Sequence, residues 1–418
     1  MTDPARTETD PTWRPDSADA VREVVAWAVA EETPIEIVGQ GSKRAIGRPM
    51  QTAATLDLSH LTGITLYEPD ELVLSARAGT PLAEIEEALD EAGQMLAFEP
   101  MDYAALLGTP PGHGTVGGAV MTNACGPRRV QAGAARDHVL GIHAVSGRGE
   151  AFKSGGRVMK NVTGYDLSRG LAGSWGTLAV LTDVTLKVLP RPETQSTLLI
   201  LGLEDHAAAR AMSEALGSSA EVSAAAHLPH RCALSVPQLK GLNRAVTALR
   251  LEGFGPSVSY RRERLAKMME AHGRIELLDA DPSAALWRTI RDAEPFSCAS
   301  TGDNGEVGQR QIWRCSTAPM QGAELVRILE GFGDVEAFYD WGGGLVWLAV
   351  PPHDDAMAGR VREVIAEVGG HATLIRADAP VRASVPVFQP QDDGLAALAT
   401  RMKAQFDPNG VLNPGRMT

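Results

Sequence analysis

The spacing of apolar residues changes several times along the chain, and the changes divide it. Residues 1–16, rich in Thr, Asp and Pro, carry no apolar repeat and read as a flexible tail. Ser17 can cap a helix in which Val21, Val24, Val25, Ala28 and Val29 recur at helical spacing. Ile35-Glu-Ile-Val38 reads as a short strand. Leu56-Asp-Leu58, Ile64-Thr-Leu-Tyr67 and Leu72-Val-Leu-Ser-Ala76 read as further strands. Thr80 at the N-cap, Pro81 at the first helical position and Gly93 past the end frame an amphipathic helix, with Leu82, Ile85 and Leu89 facing inward. Val139 to Val145 and Leu178 to Leu189 are expected strands. In the second, Val180, Val184, Leu186 and Val188 share one face, and Asp183, Thr185 and Lys187 the other. Pro190-Arg-Pro192 closes an α+β unit.

Residues 193–305 are less legible, and the pattern predicts helices over 204–216, 238–251, 261–272 and 282–292. From 308 it sharpens into strand (310–315), helix (321–330), strand (334–339), strand (345–350), helix (354–368) and strand (371–376). That order is βαββαβ, the split ferredoxin-like unit. A last helix within 391–416 ends at the turn Asp407-Pro-Asn-Gly410.

Composition narrows the function. At 418 residues there is room for two or three domains, and 44% hydrophobic with 22% charged residues is ordinary for a globular protein. A net charge of −13 argues against binding a nucleic-acid backbone. Cys125, Cys232, Cys298 and Cys315 have no CxxC pairing, so neither a zinc ribbon nor an iron–sulfur cluster is encoded, and the metal expectation is none. No apolar run reaches the length of a membrane span and the N-terminus is not signal-like. The expected location is cytoplasmic, with membrane contact only through partners at its inner face.

Two glycine-rich stretches carry the candidate chemistry. Gly39-Gln-Gly-Ser-Lys43 follows the strand at 35–38 and ends in a hydroxyl and a cation, which suits a pyrophosphate. It is not the dinucleotide fingerprint, since Arg44 stands where the third glycine belongs, and no Walker motif is present. The second stretch, residues 108–126, has glycines at 108, 112, 114, 117, 118 and 126 around Pro110 and Pro111, and Asn123 supplies an amide. Such a composition weakens a helix or strand interior but lets backbone pass close to a ligand. The competing reading is an elaborate surface turn.

The two loops and their spacing look like the FAD-binding domain of the p-cresol methylhydroxylase/vanillyl-alcohol oxidase superfamily. Arg136-Asp-His-Val-Leu-Gly141, Val158-Met-Lys-Asn-Val-Thr-Gly-Tyr-Asp-Leu167 and Leu171-Ala-Gly-Ser-Trp-Gly-Thr-Leu178 resemble the FAD-binding E-subunit family of glycolate oxidase. Phe406-Asp-Pro-Asn-Gly-Val-Leu-Asn-Pro-Gly-Arg416 matches the C-terminal signature of flavin-dependent 2-hydroxyacid dehydrogenases. The resemblance implies an α+β fold with a two-part FAD-binding domain over 17–192 and a ferredoxin-like cap over 193–380. A segment over 381–418 returns to the first domain. It also implies a subunit of a glycolate oxidase, accessory or electron-relaying, beside a catalytic flavin subunit and an iron–sulfur subunit.

For the cofactor, the pyrophosphate is assigned to Gly39, Gly41, Ser42 and Lys43 and to Gly114, Thr115, Gly117 and Gly118. By resemblance Asn123, Gly126, Gly133 and the backbone at Val180 lie near the ring, and Asn413 belongs to the returning tail. The first loop has no histidine, so the flavin is expected to be non-covalent. Catalytic relatives share a metal-binding His-x-Gly-Asp-Gly-Asn-x-His stretch and a later Glu-His-Gly. Neither is present, and Thr301-Gly-Asp-Asn-Gly305 lacks both histidines. The catalytic residues stay unassigned. Arg314 and Trp341 could line a substrate cleft, against a structural role for a partly buried arginine. A stand-alone 2-hydroxyacid dehydrogenase and a non-catalytic scaffold of the same fold remain the alternatives.

Overall fold

The computed structural model describes residues 11–158, 164–299 and 309–417, so the segments Met159–Thr163 and Thr301–Gly305 singled out above lie outside it. Helix α1 (Ala18–Ala30) starts where Ser17 Oγ accepts from the Ala20 amide, and it buries Val21, Val25 and Ala28. It covers a small parallel sheet in which β1 (Ile35–Val38) and Thr12–Trp13 flank β2 (Ala54–Asp57). Next come β3 (Ile64–Glu68), β4 (Val73–Arg77), α2 (Leu82–Glu91), α3 (Val116–Met121), β5 (Val139–Ser146), β6 (Ala151–Gly155) and β7 (Ala179–Lys187). The strands form an antiparallel sheet in the order β3-β4-β7-β5-β6. One face of that sheet buries Leu74, Ile142, Leu181 and Leu186 against Ile85 and Leu89 of α2 and Val116 and Val120 of α3.

The N-terminus of α2 differs from expectation by one residue. Pro81 is the N-cap, and the buried Thr80 hydroxyl instead donates to Arg77 O at 2.7 Å and accepts from Gly63 N at 3.0 Å. Thr80 therefore pins the turn after β4 in place of capping a helix.

The region 193–305 departs further from its predicted helices. It contains β8 (Thr194–Leu201), α4 (Asp205–Leu216), β9 (Ala224–Leu228), β10 (Val246–Gly253), α5 (Gly255–Met269), β11 (Arg274–Leu278) and α6 (Ala280–Arg291). The helix expected over 238–251 does not form: its last six residues, 246–251, begin strand β10. Val246 to Leu251 are all buried because the sheet is covered on both faces, so the run loses the two-residue alternation that would mark a strand. These strands lie in the order β11-β8-β10-β9, which makes 194–278 a ferredoxin-like unit as well.

A second unit follows as β12 (Gln311–Ser316), α7 (Gly322–Glu330), β13 (Glu336–Asp340), β14 (Leu345–Val350), α8 (Ala358–Val368) and β15 (His371–Arg376). The two units meet at β9 and β13, where His227 pairs with Tyr339, giving one eight-stranded antiparallel sheet. Helices α4, α5, α7 and α8 cover one face. The other packs Phe338, Trp341 and Trp347 with Trp287 and Phe296 onto Ile46, Met101, Tyr103 and Leu106 of the first part.

The chain then returns. Helix α9 (Asp393–Phe406) rests Met402 and Phe406 against the first part, and Leu412 bridges in parallel to Ile35. Among the described residues no helix is long and apolar enough to cross a membrane.

Candidate functional site

Where β1 ends, the chain turns over an open cleft of about 690 Å³, part of it continuous with solvent. Its walls come from Ile37 to Arg44, from Ala78, from Thr115 to Thr122 on α3, from Trp175 to Leu181 leading into β7, and from Asn413 and Arg416 of the returning tail. Of the residues assigned from the sequence, Gly39, Gly41, Ser42, Lys43, Thr115, Gly117, Gly118, Val180 and Asn413 meet here.

Close approach explains two of the glycines. A Cβ on Gly39 would stand 2.6 Å from Thr115 Oγ1, so only glycine lets the first loop lie on the second. A Cβ on Gly117 would stand 2.7 Å from Ala78 O, the carbonyl that the Gly117 amide itself uses at 2.9 Å. Thr115 caps α3 by accepting from Gly118 N at 3.1 Å, and Val116 N donates to Thr80 O. The amides of Val116, Gly117 and Gly118 at the start of α3 are thus spent within the fold, whereas those of Gly114 and Thr115 have no partner among the described residues. In the first loop the amides of Gly41, Ser42 and Lys43 have no partner among the described residues, so the donors there remain available to an anion.

Charge points the same way. Lys43 Nζ reaches only Ser42 Oγ at 3.5 Å and the Tyr103 ring at 5.6 Å, and burial, opposed by Asp102 and reinforced by Arg416, pushes its ammonium down to about 8. Arg416 is 6% exposed. Its Nη2 donates to Lys43 O at 2.8 Å, and its buried Nε has no partner among the described residues. Burial draws its guanidinium down to about 10 despite Glu36. Glu36 is committed to Arg44, whose Nε donates to it at 2.9 Å. Two desolvated cations without an ion pair among the described residues, an orphaned N–H, free amides and an inner wall of Leu58, Ala78, Met121, Ala179, Val180 and Leu181 fit the diphosphate and ring of a dinucleotide cofactor.

Four assigned residues lie outside the cleft lining. Gly114 accepts from Leu82 N at 2.8 Å. Asn123 Oδ1 accepts from Arg136 N at 3.1 Å. Gly126 packs on Glu99 and its carbonyl takes the Trp341 indole N–H at 3.0 Å. Gly133 closes the helical turn Arg129–Ala132. Arg314 and Trp341 meet each other on the cap side, with the Arg314 Cζ 4.9 Å from the Trp341 ring centroid. Sequence reasoning missed Arg416, Arg129 and Tyr103. Arg416 was readable in principle, as the one cation in the tail motif.

Between the two parts lies a buried four-charge cluster. Arg250 on β10 is forked onto Glu99 at 2.9 and 3.0 Å, and Arg128 pairs with Glu252 while its amide donates to Glu99 at 2.8 Å. Burial opposes the charge on Glu252, but Arg250 and Arg128 hold its carboxyl down to about 2. This cluster clamps the cap onto the first part.

The FAD binding domain family matches residues 10–155. The chain is 36% identical to glycolate oxidase subunit GlcE of Escherichia coli (strain K12), over 96% of this chain and 97% of that protein. It is 24% identical to glycolate oxidase subunit GlcD of Bacillus subtilis (strain 168), over 96% and 87% of the two chains. The solved structure of p-cresol methylhydroxylase with substrate bound superposes with a TM-score of 0.72 at 15% identity, covering 97% of this chain and 88% of that one, which establishes the fold. The chain belongs to the GlcE family of FAD-binding glycolate oxidase subunits, built on the p-cresol methylhydroxylase-type fold.

Proposed function

We propose that this chain is the FAD-carrying accessory or electron-relaying subunit of a multi-subunit glycolate oxidase that turns glycolate into glyoxylate. Its partners would be a catalytic flavin subunit and an iron–sulfur subunit. The observation that carries the reading is the cleft in which Lys43, half-buried, and Arg416, buried, have no ion pair among the described residues, in a chain that matches GlcE over nearly its whole length. Lys43, Arg416 and the amides of Gly41, Ser42 and Lys43 would hold the diphosphate. Thr115, Gly117 and Gly118 would form the opposite wall, and Val180 with its neighbours would exclude water. Asn413 positions the tail. Ring-side roles for Asn123, Gly126 and Gly133 rest on the family resemblance. When bound, the flavin supplies reversible acceptance of two electrons.

In this reading residues 17–192 with the tail 381–418 bind the cofactor, and 193–380 cap it. Attachment is non-covalent, because the first loop has no histidine. The location is cytoplasmic, with any contact to the inner face of the membrane made through the partners.

The test starts with the chain purified alone. Acid precipitation should release yellow flavin into the supernatant, and anaerobic glycolate should leave the flavin band unbleached until the partner subunits are added. Bleaching by the isolated chain within seconds would replace the accessory role with a stand-alone dehydrogenase.

A further inference from the structure

Arg129 follows the glycine-rich stretch, and Arg314 sits on β12, so each part of the molecule contributes one guanidinium to the same place. The Arg129 Cζ lies 4.8 Å from the Trp341 ring centroid and that of Arg314 4.9 Å. Arg129 Nη1 donates to Cys125 Sγ at 3.3 Å, and Arg314 Nη2 to the same sulfur at 3.8 Å. Those two nitrogens are therefore at most about 7 Å apart, a gap one carboxylate bridges with a charge-assisted bond to each.

The surroundings make this pair unusual. Arg128, Arg250 and Arg291 at the same junction are matched to Glu252, Glu99 and Asp292. Among the described residues Arg129 and Arg314 have no ion pair and are left with a thiol and an indole. The titratable neighbours do not supply a ready anion. Burial, then Arg314 and Arg129, hold His371 toward its neutral form, and burial holds the Tyr103 hydroxyl protonated. Asp340 feels Arg314, but its Oδ1 accepts from the Trp341 amide at 2.7 Å. Two partly desolvated like charges this close are unfavourable until an anion joins them. Trp341 is held in place as their floor, its N–H spent on Gly126 O.

We propose that Arg129 and Arg314, over Trp341, form a second anion site that binds the carboxylate of a small 2-hydroxy or 2-oxo acid. The proposal deepens the reading above and rests on it, because it gives the FAD-carrying chain a ligand of the substrate or product class.

The FAD-loaded chain is titrated calorimetrically with glycolate and with neutral glycolamide. Glycolate should bind at least tenfold more tightly than glycolamide. Arg129→Gln and Arg314→Gln should each weaken glycolate at least tenfold while flavin content and unfolding midpoint hold. In the unmodified chain, glycolate should slow iodoacetamide labelling of Cys125 severalfold, read by peptide mass spectrometry. Absence of glycolate binding, or equal binding by the folded variants, overturns the proposal. Should a variant fail to fold, the labelling decides: a Cys125 rate unmoved by saturating glycolate overturns it too. Flavin present without glycolate binding sinks this site alone, whereas a chain that retains no flavin sinks the reading beneath it as well.

Discussion

The side-chain oxygen of Asn413 accepts a hydrogen bond from the backbone N–H of Ile37 at 2.8 Å, so the end of the chain fixes the strand that launches the first glycine loop. Its Nδ2 donates to Trp175 O at 2.8 Å, and its own amide to Ile35 O at 3.1 Å. One side chain thereby joins β1, the segment entering β7 and the tail at the floor of the cleft. Asn413→Ala should leave the Ile37 amide and the Trp175 carbonyl buried without partners, at about 1–3 kcal/mol each. A urea-unfolding midpoint and a flavin titration should both register the loss. A variant with wild-type stability and flavin affinity would contradict the joint.

Lys43 should set the pH dependence of cofactor binding. Its ammonium, held near 8 in the chain without cofactor, is the form an anion needs. FAD affinity should therefore fall as pH rises through about 8, and Lys43→Met should raise Kd at least tenfold and flatten that slope. Stability of the cofactor-free chain moves the other way. A lysine whose folded value lies below its unfolded one binds fewer protons when folded, so stability rises from about pH 8 toward the unfolded value near 10.4. Fluorescence titrations of flavin between pH 7 and 9 check the first sign, and unfolding midpoints check the second.

The sequence assigns Gly117 to the pyrophosphate, where a valine side chain would block the phosphate. The structure moves the reason to Ala78. The new Cβ would overlap Ala78 O at 2.7 Å and Ala78 Cβ at 2.9 Å, and Gly117 is not among the glycines with positive φ. Forcing β4 and α3 apart should cost about 1–3 kcal/mol or more. Even Gly117→Ala should lower the unfolding midpoint. A fully stable valine variant that fails only to bind flavin would return the residue to the phosphate.

Asp340 predicts an inverted pH dependence. Burial pushes its carboxyl up to about 7, although the Trp341 amide and the guanidiniums of Arg250 and Arg314 pull down. A carboxyl whose folded value exceeds its unfolded one holds an extra proton when folded. Its effect is a loss of stability as pH climbs from about 4 to 7. Asp340→Asn, which keeps an acceptor for the Trp341 amide, should erase that decline and stabilise the chain at pH 8 by roughly 1–4 kcal/mol. Urea titrations at pH 5 and 8 measure it, and an unchanged difference between the two would refute it.

Much was legible before any coordinates. Helix α1 with its Ser17 cap, β1, β14, β15 and the βαββαβ order after 308 follow from apolar period and capping chemistry, which are properties of neighbours in sequence. The tail motif and first loop likewise marked themselves by residue type. Other features depended on what covers them. β10 reads as a helix because both of its faces are buried, and burial is decided by α5 on one side and the first part on the other. The first ferredoxin-like unit stayed hidden for that reason, and with it the eight-stranded sheet. The amides of Val116 and Gly117 look free in sequence, and only the approach of Thr80 and Ala78 shows them spent. No local pattern marks Arg250 as a buried partner of Glu99, 151 residues away, or brings Arg129 within reach of Arg314. Sequence alone determined the local elements and the chemistry each segment carries. Which charges are paired and which are left without a partner among the described residues was decided by tertiary contact, because desolvation and counter-ions come from residues distant in the chain.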